Sequence, residues 1–336
     1  MRSWRHAPVL CLYYVTYRCN AGCRYCDIWR RPELRAVPDA EPVQVLTNLR
    51  GLKKAGVRFV DFTGGEPLLY EPLPRVLREA KTLGLYTTVT TNTILYAQRA
   101  HELRRLVDFL HFSLDTTDAA KQQRWRRSPE PSHVLAAVEL AKSLGEAPDL
   151  LFTATQHSYL ELPKLAELAA RLRCELIVNQ VFAAPPGLAL TREGLAFLDR
   201  FRSHPFVYLN RGFQRLRREG GNQQKAPRCR AVSATVVISP DNAVLLPCFH
   251  RACTRLPIAG DVRAALSSPE RLRHMRMQGR HPFCQGCDIN CYFDPSFLYR
   301  LDGFFVDSQF SKLRYGWDKY VRARAPFPRR QLRRGD

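Results

Sequence analysis

Hydrophobic positions between about residues 9 and 185 follow two alternating spacings. Each short apolar run is followed by a stretch in which apolar residues recur every three or four positions, the period of an amphipathic helix. Six such units predict a parallel sheet with right-handed crossovers, doubly wound or curled into a barrel. The expected strands are Val9–Tyr17, Val57–Phe62, Leu85–Thr90, Val107–Leu114, Leu150–Thr155 and Glu175–Val181. The expected helices are Pro42–Ala55, Leu73–Leu83, Arg99–Leu106, Ser132–Leu144 and Leu162–Leu172.

Beyond a Pro-rich turn at 183–187 the pattern changes to short strands and turns. Ala234–Ser239 and Val244–Leu246 flank a Pro-Asp-Asn turn and predict a hairpin. This part is poor in apolar residues, so we expect bound metal to stabilise it. We expect a first domain at 1–210 and a second at 211–318. Residues 319–336 hold seven basic residues and one acidic residue, and we expect them to form a disordered tail.

Eleven cysteines and a net charge of +21 in 336 residues are the unusual features of the composition. The apolar run Val9–Val15 is too short to span a bilayer and no small-residue cleavage site follows it. We therefore expect a cytoplasmic protein without a membrane span. Cysteine groups in such a protein bind metal more often than they form disulfides. Cys11 and Cys174 lie apart from both groups, in apolar runs, and are expected to be inert core residues.

The first group, Cys19, Cys23 and Cys26, lies on the loop that leaves the first strand. Three soft ligands in a tight loop suit an iron–sulfur cluster with one open iron, whereas structural zinc requires four ligands. An open iron can bind and activate a small molecule. A zinc knuckle or a chance grouping is the alternative.

The spacing Cys-x3-Cys-x-Tyr-Cys, with Tyr25 before the last cysteine, resembles the signature of radical S-adenosylmethionine (SAM) enzymes. The resemblance implies that Cys19, Cys23 and Cys26 bind a [4Fe–4S] cluster and that SAM chelates its fourth iron. It also implies that one electron from the reduced cluster splits SAM into methionine and a 5′-deoxyadenosyl radical, which abstracts a hydrogen atom from the substrate. A reducing partner such as flavodoxin or ferredoxin would supply that electron.

Polar residues at the next strand ends extend the resemblance. Thr63-Gly64-Gly65-Glu66-Pro67 is similar to the family's Gly-Gly-Glu-Pro motif, which meets the amino group of SAM; glycine permits close backbone approach, and a glutamate can accept from a cation. Residues at the third and fourth strand ends would contact the SAM carboxylate and ribose, although a turn or helix cap would use the same residue types. The implied cofactor-binding residues are Tyr25, Gly64, Gly65, Glu66, Pro67, Asn92, Ser113 and Asp115. Gln156 and Asn179 are candidates for contacts with adenine or substrate.

These polar clusters all follow the carboxyl ends of expected strands, which form the ligand-binding edge of parallel α/β folds. The six units also agree with the partial (β/α)6 barrel of the radical SAM family. The expected fold class is therefore α/β, a partial (β/α)6 TIM-like barrel with a small C-terminal hairpin-based iron–sulfur module.

The second cysteine group resembles the SPASM and twitch modules that carry auxiliary clusters in this family. Its spacing is Cys229, Cys248 and then Cys284-x2-Cys287-x3-Cys291, with fewer cysteines than a full SPASM domain. The resemblance implies an auxiliary [4Fe–4S] cluster, which can accept an electron from the substrate or anchor it. The favoured ligands are Cys229, Cys248, Cys284 and Cys287, and Cys291 could replace either of the last two. Structural zinc remains the alternative, because Cys-x2-Cys is also a zinc spacing; Cys253 and His250 are expected to be bystanders.

Relatives with such modules modify peptides, oxidise protein side chains or dehydrogenate small molecules, so we expect peptide modification or small-molecule oxidation. Basic clusters at Arg124–Arg127, Arg211–Arg218 and Arg271–Arg280 would attract an acidic peptide, a phosphorylated small molecule or RNA. No RNA-binding fold signature is present. An RNA-modifying enzyme, or a non-catalytic iron–sulfur or zinc protein that binds RNA, is the alternative. No catalytic acid, base or hydrogen donor is assigned; Tyr17, Asp115 and Cys291 are candidates by position.

Overall fold

A computed structural model describes residues 7–128, 130–182 and 187–328. Its strands form one sheet in the order β10-β9-β8-β1-β2-β3-β4-β5-β6-β7. Neighbours from β1 to β7 are parallel, as are β8 and β1, whereas β8–β9 and β9–β10 are antiparallel. The strands are β1 Leu10–Thr16, β2 Phe59–Gly64, β3 Tyr86–Thr91, β4 Phe109–Ser113, β5 Asp149–Ala154, β6 Leu176–Gln180, β7 Val207–Tyr208, β8 Thr235–Ser239, β9 Ala243–Leu246 and β10 Thr254–Pro257.

Helices cover the outer face of the sheet and build most of the C-terminal part. In the first half they are α1 Pro32–Arg35, α2 Pro42–Lys54, α3 Leu73–Thr82, α4 Tyr96–Leu103, α5 Ala119–Arg126, α6 Pro131–Ser143 and α7 Leu162–Leu172. In the second half they are α8 Arg192–Asp199, α9 Arg211–Arg218, α10 Ala231–Ala234, α11 Val262–Leu266, α12 Pro269–Met277, α13 Asn290–Ser296 and α14 Gly303–Gly316. A π-helical segment, Trp317–Arg322, continues α14.

The α/β fold class is confirmed, and the large parallel sheet is consistent with a partial TIM-like barrel. All six expected strands lie within two residues of their expected bounds. Four of the five expected helices agree equally well, whereas α4 begins at Tyr96, three residues before the expected start. This helix also ends three residues before the expected end, at Leu103. The side chain of Tyr96 is buried against Phe112, so packing shifts the helix toward the N-terminus.

The C-terminal hairpin is present, but it belongs to the barrel sheet. Strand β8 pairs in parallel with β1, from Leu10 with Thr235 to Tyr13 with Ile238. This pairing satisfies the backbone groups that β1 would otherwise expose at the edge of an open barrel. The part of the chain expected as a separate module thus continues the first domain's sheet.

Alternate residues of β1 enter two different cores, as the two-residue period of a strand requires. Cys11, Tyr13 and Val15 pack with the outer helices. Leu12 and Tyr14 pack on the inner face with aromatic residues of the C-terminal part. The burial expected for the two isolated cysteines is confirmed, since Cys11 is 0% and Cys174 3% exposed.

Residues 319–322 are ordered, contrary to the expected disordered tail. Lys319 is 3% exposed, and its Nζ lies 2.7 Å from Oδ2 of Asp149 and 2.9 Å from the hydroxyl of Tyr315. A partner on a distant strand keeps this lysine inside the fold, which the local composition does not reveal. Residues 329–336 of the expected tail lie outside the described residues. Within the described ranges no helix combines the length and apolar character needed to cross a membrane.

Candidate active site

The loop at residues 19–26 carries the first cysteine group from the carboxyl end of β1. Its backbone is fixed to the end of α5: Gly22 N donates to Arg126 O at 3.0 Å and Arg24 N to Trp125 O at 2.8 Å. A Cβ on Gly22 would lie 2.9 Å from Cδ of the next residue of that segment, Arg127. The loop therefore has a tertiary support that its local sequence does not show.

The three thiols of this loop are buried or half-buried and influence one another. Burial raises the pKa of Cys19 to about 12 and that of Cys26 to about 11, and the negative charges of Cys23 and Cys26 contribute to the rise at Cys19. Iron binding would have to displace these protons. Three neighbouring thiols suit a cubane cluster, in which each thiolate binds a different iron. In the described ranges no three His, Cys, Asp or Glu side chains converge as ligands of a single metal ion.

The Gly-Gly-Glu-Pro turn packs directly against the backbone at the end of β1. A Cβ on Gly64 would lie 1.8 Å from Thr16 O, and one on Gly65 would lie 2.1 Å from Arg18 O. The amides of Gly65 and Glu66 donate to these same carbonyls at 2.9 and 2.8 Å. Both glycines are therefore required by the contact between two strand ends, in addition to any approach to a ligand.

Glu66 and Asn92 connect this turn to the cysteine loop. Glu66 is 2% exposed and accepts from the backbone amides of Leu68 at 3.0 Å and Asn92 at 2.8 Å. Burial raises the pKa of Glu66, and these two amides offset part of the rise. The Asn92 side chain donates to Asn20 Oδ1 at 2.8 Å within the loop. The structure thus brings the motifs of β1, β2 and β3 into one network.

Asp115, beyond the end of β4, is fully engaged by protein groups. Its Oδ1 accepts from Thr153 N at 2.9 Å. Its Oδ2 accepts from the Tyr25 hydroxyl at 2.7 Å and from Nη1 of Arg126 at 3.1 Å. Contacts of Asp115 and Tyr25 with SAM remain predictions. The sequence indicates Arg126 only as part of the basic cluster at 124–127, whereas the structure buries it.

The other expected cofactor residues lie at the same edge of the sheet. Ser113 is 4% exposed at the last position of β4, and Pro67 is buried at the start of a short 3-10 turn. Asn179 lines the pocket described next. Gln156 instead accepts from Thr191 N at 3.0 Å and so supports the segment before α8.

A cavity of about 620 Å³ opens beside the cysteine loop, between the barrel and the C-terminal part. Cys26, Asp61 and Asn179 line it from the barrel side, and His250, Arg251 and Cys291 from the C-terminal side. The imidazole of His250 contacts the ring of Phe182 at a centroid distance of 4.9 Å, which joins the two walls. Volumes of this size are typical of ligand sites.

Asp61 lies on the inner face of β2 and lines this cavity. Its Oδ1 is buried and has no hydrogen-bond partner among the described residues. Burial raises the pKa of Asp61 to about 7. The sequence signal for this residue is a carboxyl at an inward position of a largely apolar strand.

The structure also brings the cysteines of the second group close together. The charges of Cys248, Cys284 and Cys287 each contribute to the raised pKa of Cys229, for which burial is the larger cause. Cys291 is half-buried near Cys248 and Cys287 and also faces the cavity. Cys253 is exposed. These positions agree with the expected ligand set, which remains a prediction.

Asn222 joins two of the segments that carry the second cysteine group, that of Cys229 and that of Cys284 and Cys287. Its side-chain amide donates to Gly279 O at 2.8 Å and Cys284 O at 3.0 Å, and its Oδ1 accepts from the amides of Arg228 at 3.0 Å and Cys229 at 3.2 Å. Its backbone amide donates to Cys287 O at 2.9 Å. Sequence reasoning missed this residue, although it lies in a Gly-Gly-Asn segment typical of a turn.

Comparison with known proteins places this geometry in a family. Residues 13–150 match the model of the Radical SAM superfamily. A probable GTP 3′,8-cyclase of Methanopyrus kandleri is 29% identical over 265 residues, which cover 76% of this chain and 81% of that protein. Other curated relatives match over about a third to a half of their own length.

Two solved structures share the fold over most of the chain. SuiB of Streptococcus suis bound to precursor peptide SuiA has a TM-score of 0.63 at 15% identity, covering 89% of this chain and 76% of SuiB. The enzyme anSMEcpe with bound AdoMet and Cp18Cys peptide has a TM-score of 0.62 at 16% identity, covering 94% of this chain and 99% of that chain.

The family match falls on the strand ends that carry the cysteine loop, the Gly-Gly-Glu-Pro turn and Asn92. The buried thiols and the network around them fit the cofactors of that family. Residues 13–150 of the chain therefore match the radical SAM superfamily, whose members use a [4Fe–4S] cluster to cleave SAM reductively.

Proposed function

We propose that this chain modifies a peptide by abstracting a hydrogen atom from one of its residues. The observation that carries the proposal is the cavity of about 620 Å³, which has Cys26 at its rim and a second wall built by the C-terminal part. When bound, the cluster and SAM would supply a 5′-deoxyadenosyl radical at this rim. Cys19, Cys23 and Cys26 would hold the cluster. The network through Glu66 and Asn92 would keep the loop in place.

The cavity walls favour a substrate with mixed polarity. Arg24, Arg30 and Arg251 line the opening, where they would attract acidic or C-terminal carboxylate groups. Asp61 lines the inner wall with an oxygen that has no described partner and could accept from a peptide N–H or a side-chain donor. A peptide supplies both kinds of group. The fold also resembles SuiB, whose solved structure holds a precursor peptide, and anSMEcpe, whose solved structure holds a peptide and AdoMet.

We further propose that the second cysteine group binds an auxiliary [4Fe–4S] cluster through Cys229, Cys248, Cys284 and Cys287. The mutual influence of these thiols supports this ligand set. Cys291 is left as a cavity-lining thiol. A flavodoxin- or ferredoxin-like protein would act as the reducing partner.

Conversion of a purine nucleotide is the second candidate. The similarity to a probable GTP 3′,8-cyclase extends over three-quarters of this chain. Phosphates would suit the three arginines at the opening, and Asp61 could accept from the N–H groups of a guanine. The two candidates differ in their substrate, so one assay separates them.

The test is anaerobic reconstitution of the full chain, followed by SAM and dithionite with either GTP or synthetic peptides copied from short reading frames beside the gene. We expect 5′-deoxyadenosine in all arms, a rise with one peptide, and loss of hydrogen from that peptide in its mass spectrum. Consumption of GTP without peptide modification would support the second candidate instead. Iron-loaded protein that forms no 5′-deoxyadenosine would refute both.

A pair of variants tests the role given to the cavity. Asp61→Asn is expected to keep the substrate-independent formation of 5′-deoxyadenosine and to lose most of the rise caused by the peptide. Asp27→Asn, at an exposed carboxyl that also lines the cavity, is the matched control and should keep that rise. Equal behaviour of the two variants would contradict the role of Asp61.

A further inference from the structure

Arg126 is a buried cation beside the first cysteine group. It is 6% exposed at the last position of α5. Its Nη1 donates to Asp115 at 3.1 Å and also to the Tyr25 hydroxyl, and its guanidinium carbon lies 5.7 Å from the centre of the Tyr25 ring. Its Nε is buried and has no hydrogen-bond partner in the described ranges. The charge is thus held rigidly in a place where water does not screen it.

The charge of Arg126 reaches the thiols. Its backbone carbonyl accepts from the amide of Gly22, next to Cys23, at 3.0 Å, and its guanidinium donates to the hydroxyl of Tyr25, next to Cys26. From this position its charge lowers the pKa of both thiols, against the rise that burial causes at each. At Cys23 its attraction exceeds the repulsion from its partner Asp115. At Cys23 the carboxylate therefore compensates only part of the guanidinium charge, whereas at Cys26 the negative charges of Cys23 and Asp27 outweigh the attraction of Arg126.

Other arginines near the loop differ in exposure. Arg24 and Arg127 are exposed, so solvent and salt screen their charges. A charge in a poorly hydrated position acts several times more strongly at the same distance. Of these three side chains, Arg126 has the largest influence per charge on a group bound at Cys23 and Cys26.

We infer that Arg126 sets the reduction potential of the cluster bound by Cys19, Cys23 and Cys26, with Asp115 opposing it and holding it in position. Reduction adds one negative charge to the cluster, and a buried cation next to two of its ligands stabilises that charge. Hydrogen bonds, charge and burial around a cluster are the means by which a protein adjusts its potential. The inference rests on the proposed function only in that these three cysteines bind the cluster. Arg126 acts through the thiolates and is a positioning residue.

The test is a potentiometric titration of the reconstituted full chain, followed by electron paramagnetic resonance without SAM or substrate. The signal of the first cluster is the one that disappears in the Cys19→Ala, Cys23→Ala, Cys26→Ala triple variant. Arg126→Gln is expected to lower the ratio of reduced to oxidised cluster about tenfold at a fixed potential, a shift of about 59 mV to more negative values for one electron. Arg126→Lys keeps the charge and should stay near the wild-type potential.

Two further variants make the sign of the effect testable. Asp115→Asn removes the opposing charge and should shift the potential in the positive direction. Arg124→Gln removes the same charge from an exposed position on α5 and should leave the potential unchanged. An identical potential in Arg126→Gln and Arg124→Gln would overturn the inference. Shifts of the same sign in Arg126→Gln and Asp115→Asn would also overturn it.

Iron content is measured first, so that a structural role can be recognised. A purely structural Arg126 would give low iron and an unshifted potential in the fraction that remains loaded, which also overturns the inference. If Arg126→Gln does not bind iron, Arg126→Lys and Asp115→Asn still show how charge at this site affects the reduction potential. The 5′-deoxyadenosine assay is separate: shifted potentials without this product would refute the proposed function and leave the inference intact.

Discussion

The two cysteine groups reach similar surroundings by different routes. The first places three thiols within eight residues of one loop, at the end of one strand. The second collects Cys229, Cys248, Cys284 and Cys287 from separate segments. Asn222 ties the segment of Cys229 to that of Cys284 and Cys287 through both its side chain and its backbone. The first group is therefore specified largely by local sequence, and the second by tertiary structure.

The arginines near the two cysteine groups differ in their exposure to solvent. Arg126, beside the first group, is buried and paired with Asp115, whereas Arg251, which lowers the pKa of Cys284 and Cys287, is exposed. Salt should weaken the influence of Arg251 more than that of Arg126. A cation near each cysteine group therefore does not imply an equal electrostatic influence on the two groups.

The largest expected effect comes from removing one thiol of the first group. Cys23→Ala leaves only two ligands on the loop, so we expect complete loss of 5′-deoxyadenosine formation with SAM and dithionite. Cys253→Ser changes an exposed cysteine outside both groups and should retain wild-type activity. Residual product in iron-depleted Cys23→Ala would contradict the division of roles between the two groups.

The same contrast separates the features that the sequence predicts from those that it does not. The strands and their polar carboxyl ends follow from hydrophobic spacing, because a parallel α/β unit repeats its pattern locally. Other contacts join residues more than 50 positions apart in the sequence, and no local period encodes them. They are the pairing of β8 with β1, the contact of Arg126 with Tyr25 and the bonds of Asn222 to Gly279 and Cys284. The order of residues 319–322 has the same origin, since the partner of Lys319 is the distant Asp149.

The next largest effect is expected where two strand ends meet beside the first group. In Gly65→Ala the new Cβ would lie 2.1 Å from a backbone oxygen, which has to move. We expect a loss of about 3 kcal/mol in the free energy of unfolding, measured by urea denaturation, together with lower iron in the first site. Gly22→Ala meets only the flexible end of Arg127 and should cost about 1 kcal/mol or less. Equal losses would contradict the role given to the contact between the two strand ends.

The second group is tested through the residue that joins its segments. Asn222→Ala removes four side-chain hydrogen bonds, so we expect iron to fall from about eight to about four atoms per chain while 5′-deoxyadenosine formation persists. Gln223→Ala, the adjacent residue, should keep full iron. Zinc in place of the missing iron, in wild type or variant, would instead support a structural zinc site.

The smallest effect is expected from a substitution of Glu175, which should change the stability of the barrel and leave both cysteine groups unchanged. Glu175 is 1% exposed, and neither carboxyl oxygen has a hydrogen-bond partner among the described residues. Burial, followed by repulsion from Asp149 and Asp318, raises its pKa to about 9, although Lys319 and Arg314 oppose the rise. The folded protein therefore keeps this proton to higher pH than the unfolded chain does.

This difference makes Glu175 increasingly destabilising as pH rises from the ordinary carboxyl range toward 9, because folding must then take up a proton. Below the ordinary range both states are protonated and the cost disappears. Glu175→Gln removes the titration, so its stability relative to wild type should grow by about 1–3 kcal/mol between pH 5 and pH 8 in urea denaturation. Iron content and 5′-deoxyadenosine formation should not change. An advantage that is independent of pH would show that packing, and not the proton, determines the effect of this residue.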